Sequence, residues 1–194
     1  MSLVPLVTAA LAANPPGAGL PEQVSHVYEQ HLEAAPDRVL PLLTPLGERA
    51  WADGWEPEMR WEPPGGGAGT LFVIRHPGHP APRTRGTPEE RRGDAARPGS
   101  DTVWLLDTWE PAAGHVHYVH VTPGSDVTEI DIRLRPDGKD RSVAAVRYTW
   151  TALGAPGVAL VRSKTPQAYL EAMREWEQAL NHFLTTGRML RPAH

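Results

Sequence analysis

The residues best equipped for chemistry lie together in His115-Val-His117-Tyr-Val-His120. Three histidines this close would suit a transition metal if their rings converged. The surrounding alternation of apolar and polar residues marks a strand, in which successive side chains point to opposite faces. His115 and His117 then share one face and His120 the other, so three convergent ligands are not available and no metal is expected. Asp131 is expected beside His117 as an exposed cross-strand pair. On the inner face His120, with Tyr118 and Tyr148, is the best candidate for a polar anchor or a general acid/base group. The plainer reading is a buried, hydrogen-bonded histidine, because no carboxylate partner is marked. Glu48 and Arg49, near the gate, are expected to pair locally rather than to catalyse, and Asp107 to face outward.

The elements that must position these groups can be read from periodicity. Four strands, Thr102–Trp109, His115–Val121, Val127–Arg135 and Arg141–Thr151, follow one another through short connections as an antiparallel meander. A turn at Arg135-Pro-Asp-Gly138-Lys139 pairs even positions with even positions. One face then carries Trp104, Leu106, Thr108, Val116, Tyr118, His120, Thr128, Ile130, Ile132, Val146, Tyr148 and Trp150. The other carries His115, His117, Glu129, Asp131, Arg133 and Arg147 and should be solvated. Upstream, Glu22–Glu33 alternates as a further strand. Two short helical turns follow, one from Pro36 and one over Leu46–Trp51, and then strands at Met59–Trp61 and Thr70–Arg75.

At the C-terminal end, Tyr169, Met173, Trp176, Leu180 and Phe183 recur at steps of four, three, four and three, the signature of one helix face. Thr165 can cap this helix with Pro166 in its first turn, and Gly187 can end it. The stripe is expected either to pack wholly as core or to pack at its ends and line a hollow in its middle.

Composition narrows the function classes. The chain has 194 residues, 40% hydrophobic and 22% charged, with net charge -4 and no cysteine. It fits one globular domain without disulfides or thiolate metal sites, has no basic field to hold nucleic acid, and suits a reducing cytoplasm. No stretch has the length of a membrane span. Met1–Ala13 is apolar but has no Lys or Arg before its apolar run, so residues 1–20 are read as an N-terminal arm rather than a secretory signal. Residues 76–100 hold Pro, Gly, five Arg and no large apolar residue, and are expected to be a disordered insertion or a lid within a single domain over 21–190. Gly65-Gly66-Gly67 sits in a hairpin rather than between strand and helix, so no phosphate loop is present, and no serine nucleophile elbow appears.

The order of these elements resembles the START-like (SRPBCC, Bet v 1-like) helix-grip superfamily, an α+β fold. In it a curved antiparallel β-sheet wraps around a long C-terminal α-helix, with two short helices after strand 1. That group includes polyketide cyclases and aromatases, lipid-transfer domains and the activator-of-Hsp90-ATPase type. Local resemblance to uncharacterised bacterial members lies in Pro41–Trp55 (PLLTPLGERAWADGW), Trp104, Tyr148–Leu153 (YTWTAL) and Ala179–Gly187 (ALNHFLTTG). The insertion at 76–100 departs from the short connection usual in that group.

The resemblance implies a cavity between sheet and helix. Its walls would be Trp104, Tyr118, His120, Ile130, Tyr148 and Trp150 from the sheet and Met173, Trp176 and Leu180 from the helix, with Trp51 and Trp55 near the gate. The leading expectation is a protein that binds a small hydrophobic or amphipathic molecule without a tightly bound cofactor. Rival expectations are a cyclase/aromatase- or hydrolase-like enzyme using His120 and a tyrosine, and a surface interaction module of the Hsp90-activator type. A homodimer is left open.

Overall fold

The computed structural model describes residues 22–75 and 101–191. The N-terminal arm and the 76–100 insertion lie outside the described residues. Seven strands form one antiparallel sheet in the order β1-β7-β6-β5-β4-β3-β2. They are β1 Gln23–Leu32, β2 Pro57–Trp61, β3 Thr70–Ile74, β4 Thr102–Glu110, β5 His115–Thr122, β6 Asp126–Pro136 and β7 Ser142–Ala152. Between β1 and β2 come α1 (Pro36–Val39), a 3₁₀ turn (Leu40–Leu43) and α2 (Pro45–Glu48). Thr44-Pro45 starts the second turn one residue before the expected Leu46: the Thr44 hydroxyl accepts from the Gly47 amide at 3.0 Å. After β7 come α3 (Ala155–Ser163) and α4 (Pro166–Thr186).

The even-with-even register is observed. Ile130 lies opposite Tyr148 and Thr128 opposite Trp150, while across the next ladder Tyr118 faces Ile130 and His120 faces Thr128. Within the meander the register shifts at a bulge in β4. Leu106 pairs with Tyr118, but beyond it Thr108 pairs with His117 and Trp109 with Val116. One extra residue flips the parity, so Trp109, not the expected Thr108, packs against the core.

Helix α4 has the expected ends. The Thr165 hydroxyl accepts from the Ala168 amide at 3.2 Å, and Gly187 takes φ 68°. Its Tyr169, Met173, Leu180 and Leu184 are buried, with Trp176 and Phe183 partly so. The helix also seals β1, a border strand of the sheet. Asn181 accepts from the Glu33 amide at 2.9 Å and donates to the His31 carbonyl at 2.8 Å, and Glu177 accepts from the His31 amide and the Tyr28 hydroxyl. A border strand left bare would offer these groups to another chain.

Helix α3 was not foreseen from the sequence. Pro156 sits in its first turn and Val161 is buried. It can dock because residue 157 is glycine: a Cβ there would stand 1.7 Å from the Ser125 carbonyl oxygen, in the β5–β6 turn.

Candidate functional site

Two adjoining hollows lie between the inner face of the sheet and the N-terminal half of α4, with volumes of about 340 and 710 Å³. Both fall within the size range of small-molecule pockets. Trp55, Trp104, Tyr148, Ala172 and Met173 border both, forming a shared waist. Tyr118, Ile130 and Trp176 line the first; His120 and Trp150 line the second. Register explains the set, since every sheet residue among them is an even-numbered, inward-facing position.

Leu180, expected on the wall, and Trp51, expected near the gate, line neither hollow. Both are fully buried. Trp51 lies behind Trp176, ring centroids 5.6 Å apart, and its indole N–H donates to the Leu42 carbonyl at 2.9 Å.

The rim beside α2 is held by other aromatic donors of the same kind. The Tyr118 hydroxyl donates to the Leu43 carbonyl at 2.7 Å, and the Trp55 indole N–H to the Pro45 carbonyl at 2.8 Å. Trp104 meets Trp55 edge-on at 5.4 Å and stacks on the His120 ring at 4.1 Å, its own N–H donating to the Thr102 hydroxyl at 2.8 Å. At the far end the Tyr169 hydroxyl donates to the Val146 carbonyl, and the Lys164 ammonium lies 5.6 Å from the centre of the Trp150 ring.

Polar groups also stand on the walls, and the sequence reading had paired or passed over them. Glu48, expected to pair locally with Arg49, lines the first hollow and forms no ion pair among the described residues. Burial pushes its carboxyl well above the usual carboxylate range. The Tyr118 and Tyr148 hydroxyls are raised as well, chiefly by burial and then by the nearby Glu48. Glu48 was legible in principle: the Ala52 amide bonds to the Glu48 carbonyl, so the two residues share a face of the turn and both line the hollow. Asp53 lies on the same rim. In the second hollow Asp126 is almost wholly buried. One of its oxygens accepts from the Thr128 hydroxyl at 3.0 Å, and the other has no partner among the described residues.

On the outer face His117 does lie opposite Asp131, but the hydrogen bonds run diagonally. His115 meets Asp131 at 2.9 Å, and His117 meets Asp107 at 3.1 Å. His115, expected in a solvated surface, is buried between Asp131 and Glu110. Burial alone would raise the Asp131 carboxyl, but hydrogen bonds from His115 and Arg133 outweigh it and hold the group below its ordinary value.

No family model matches the chain, and no curated protein does. Solved structures do match. Norcoclaurine synthase from Thalictrum flavum, in truncated form, shares 14% identity at a TM-score of 0.55, the match covering 87% of this chain and 97% of that one. A protein from Rhodobacter sphaeroides shares 17% identity at a TM-score of 0.51, over 88% of this chain and 95% of that one. The chain has the START-like, Bet v 1-like helix-grip fold: a curved seven-stranded antiparallel sheet closed around a long C-terminal helix.

Proposed function

We propose that this chain binds a small apolar or amphipathic molecule in the space between the sheet and α4. The observation that carries the reading is the pair of adjoining, aromatic-walled hollows that meet at Trp55, Trp104, Tyr148 and Met173. The make-up matches that of binding cavities, mostly apolar with a few polar anchors. Titration with a hydrophobic fluorophore, followed by competition with lipids and polyketide-like aromatics, tests it. Binding that Met173→Trp abolishes by filling the waist is the expected result; no binding at any soluble concentration overturns the reading.

A catalytic reading is favoured by one observation: His120 and Tyr148 line the same hollow. An imidazole and a phenol on one wall are the parts of an acid/base pair. Activity in a cyclisation or ester-hydrolysis screen that His120→Ala removes would support it, and activity indifferent to that change would end it. The interaction-module alternative needs a solid interior and an exposed apolar patch. The two hollows count against it.

A further inference from the structure

The two hollows differ in the charges on their walls. Among the described residues the first carries two carboxyl groups, Glu48 and Asp53, and no Lys, Arg or His, while Trp55, Trp104, Tyr148 and Trp176 supply aromatic surface around them. The second carries Lys164 and His120 as well as Asp126. Glu48 reaches its hollow from α2 with no counter-charge among the described residues.

Three kinds of ligand would meet this wall differently. An anion would add like-charge repulsion against Glu48 and Asp53. A neutral hydrocarbon would fill the volume and leave the Glu48 carboxyl desolvated and uncompensated. An ammonium group would supply the counter-charge, and its polarised C–H or N–H surface would also be attracted to the negative faces of the rings. Resting on the cavity reading above, we propose that the first hollow is a site for an organic cation, an alkyl- or arylammonium. Its charge lies against Glu48, and its carbon skeleton lies among Trp55, Trp104 and Trp176.

Size agrees with this assignment. A volume of about 340 Å³ is near the lower end for small-molecule pockets and suits a compact head group. A longer tail can continue past the shared waist into the second hollow. Proton linkage gives a second signature. Without a counter-charge, burial keeps the Glu48 carboxyl well above its ordinary value, and an ammonium beside it favours the ionised form. The other titratable groups that face Glu48 on this wall are Tyr118, Tyr148 and Asp53. Both tyrosine hydroxyls are held above their ordinary value and stay neutral. Cation binding therefore releases a proton and tightens as the pH rises through the Glu48 titration.

The test compares three ligands on one 4-methylenephenol frame: 4-(trimethylammoniomethyl)phenol, its neutral carbon isostere 4-neopentylphenol, and the smaller anion 4-hydroxyphenylacetate. Each is titrated into the whole protein by calorimetry in buffers of different ionisation enthalpy. The cation is expected to bind at least about tenfold more tightly than the neutral isostere, with the anion weakest and a proton released. Glu48→Gln should bring the cation-to-neutral ratio towards one while the neutral phenol still binds. Asp53→Asn, on the exposed rim, should lower the ratio by a smaller factor, and it decides the matter even where Glu48→Gln fails to fold. Asp107→Asn, exposed on the outer face of the sheet, should leave the ratio unchanged. A neutral isostere that binds as tightly as the cation overturns the proposal and leaves the cavity reading standing, as does a ratio that survives both the Glu48 and the Asp53 changes. If neither phenol nor the hydrophobic fluorophore binds, the cavity reading falls and takes this one with it.

Discussion

The two halves of α4 carry the same apolar stripe and end in different surroundings. In the C-terminal half Leu180 is fully buried in solid core, Asn181 is bonded twice to the β1 border, and the Leu184 carbonyl accepts from Arg38. In the N-terminal half Met173 and Trp176 stand at the edge of open volume. Helical spacing is identical in both. What differs is the opposing layer, since α1 and the end of β1 close over one half. Facing the other half the sheet bears Trp104, whose N–H is bonded within its own strand to Thr102, and Tyr118, whose hydroxyl is bonded to the rim at Leu43. A stripe reports that a face is covered, but not how completely.

Substitutions can sharpen or break that contrast. The largest effect is expected at Leu180→Ala, which should cost about 2–5 kcal/mol in urea unfolding by opening a cavity in filled core. Met173→Ala should cost less than half as much, because its side chain already borders a void, and should alter ligand affinity where Leu180→Ala does not. Equal costs would erase the distinction between the halves. Gly157→Ala comes next, at about 1–3 kcal/mol, because the added carbon meets the Ser125 carbonyl and must displace α3 from the second hollow. Thermal melts together with probe binding would show both losses, and a neutral outcome would mean that α3 is not held against that turn. Asn181→Ala should cost about 0.5–1.5 kcal/mol, since it removes the bonds to the Glu33 amide, just past β1, and to the His31 carbonyl. Hydrogen exchange should then quicken at Glu33.

The smallest effect is a slope with pH. The Glu48 carboxyl titrates higher in the folded chain than in the unfolded one, so the folded state holds the extra proton between the two values. Its contribution to stability is complete below the unfolded value and is lost as the pH rises through the folded one. Glu48→Gln should flatten that part of the stability curve, and an unchanged slope would show that the carboxyl is not desolvated.

Much of this architecture was legible because period-two and period-3.6 patterns report faces directly. The hairpin at Gly138 fixed a parity that carried Trp104, Tyr118, His120, Ile130, Tyr148 and Trp150 to one side. Five features escaped, each for a physical reason. The β4 bulge exchanges Thr108 for Trp109 without any mark in the alternation. Trp51 and Leu180 are the same chemical types as their wall-forming neighbours and differ only in depth. The register set His117 opposite Asp131, but the bond goes to His115, because a diagonal neighbour is also within reach of a long side chain. Glu48 was paired with its sequence neighbour Arg49, although adjacent residues on a helical turn point apart. The N-terminal cue for α3, Pro156 after Gly154, was present but stands at the start of a segment too short to show a period.

One last consequence follows from the segment between Leu42 and Pro45. Three of its carbonyls are each fastened by an aromatic donor: Leu42 by Trp51, Leu43 by Tyr118 and Pro45 by Trp55. Such bonds contribute about 0.5–1.5 kcal/mol apiece, and because they share four residues of backbone they must release together. A concerted release costing about 3 kcal/mol leaves this edge unclasped in fewer than roughly one molecule in a hundred. Under the binding proposal, a molecule entering by this edge would wait on that event rather than on diffusion.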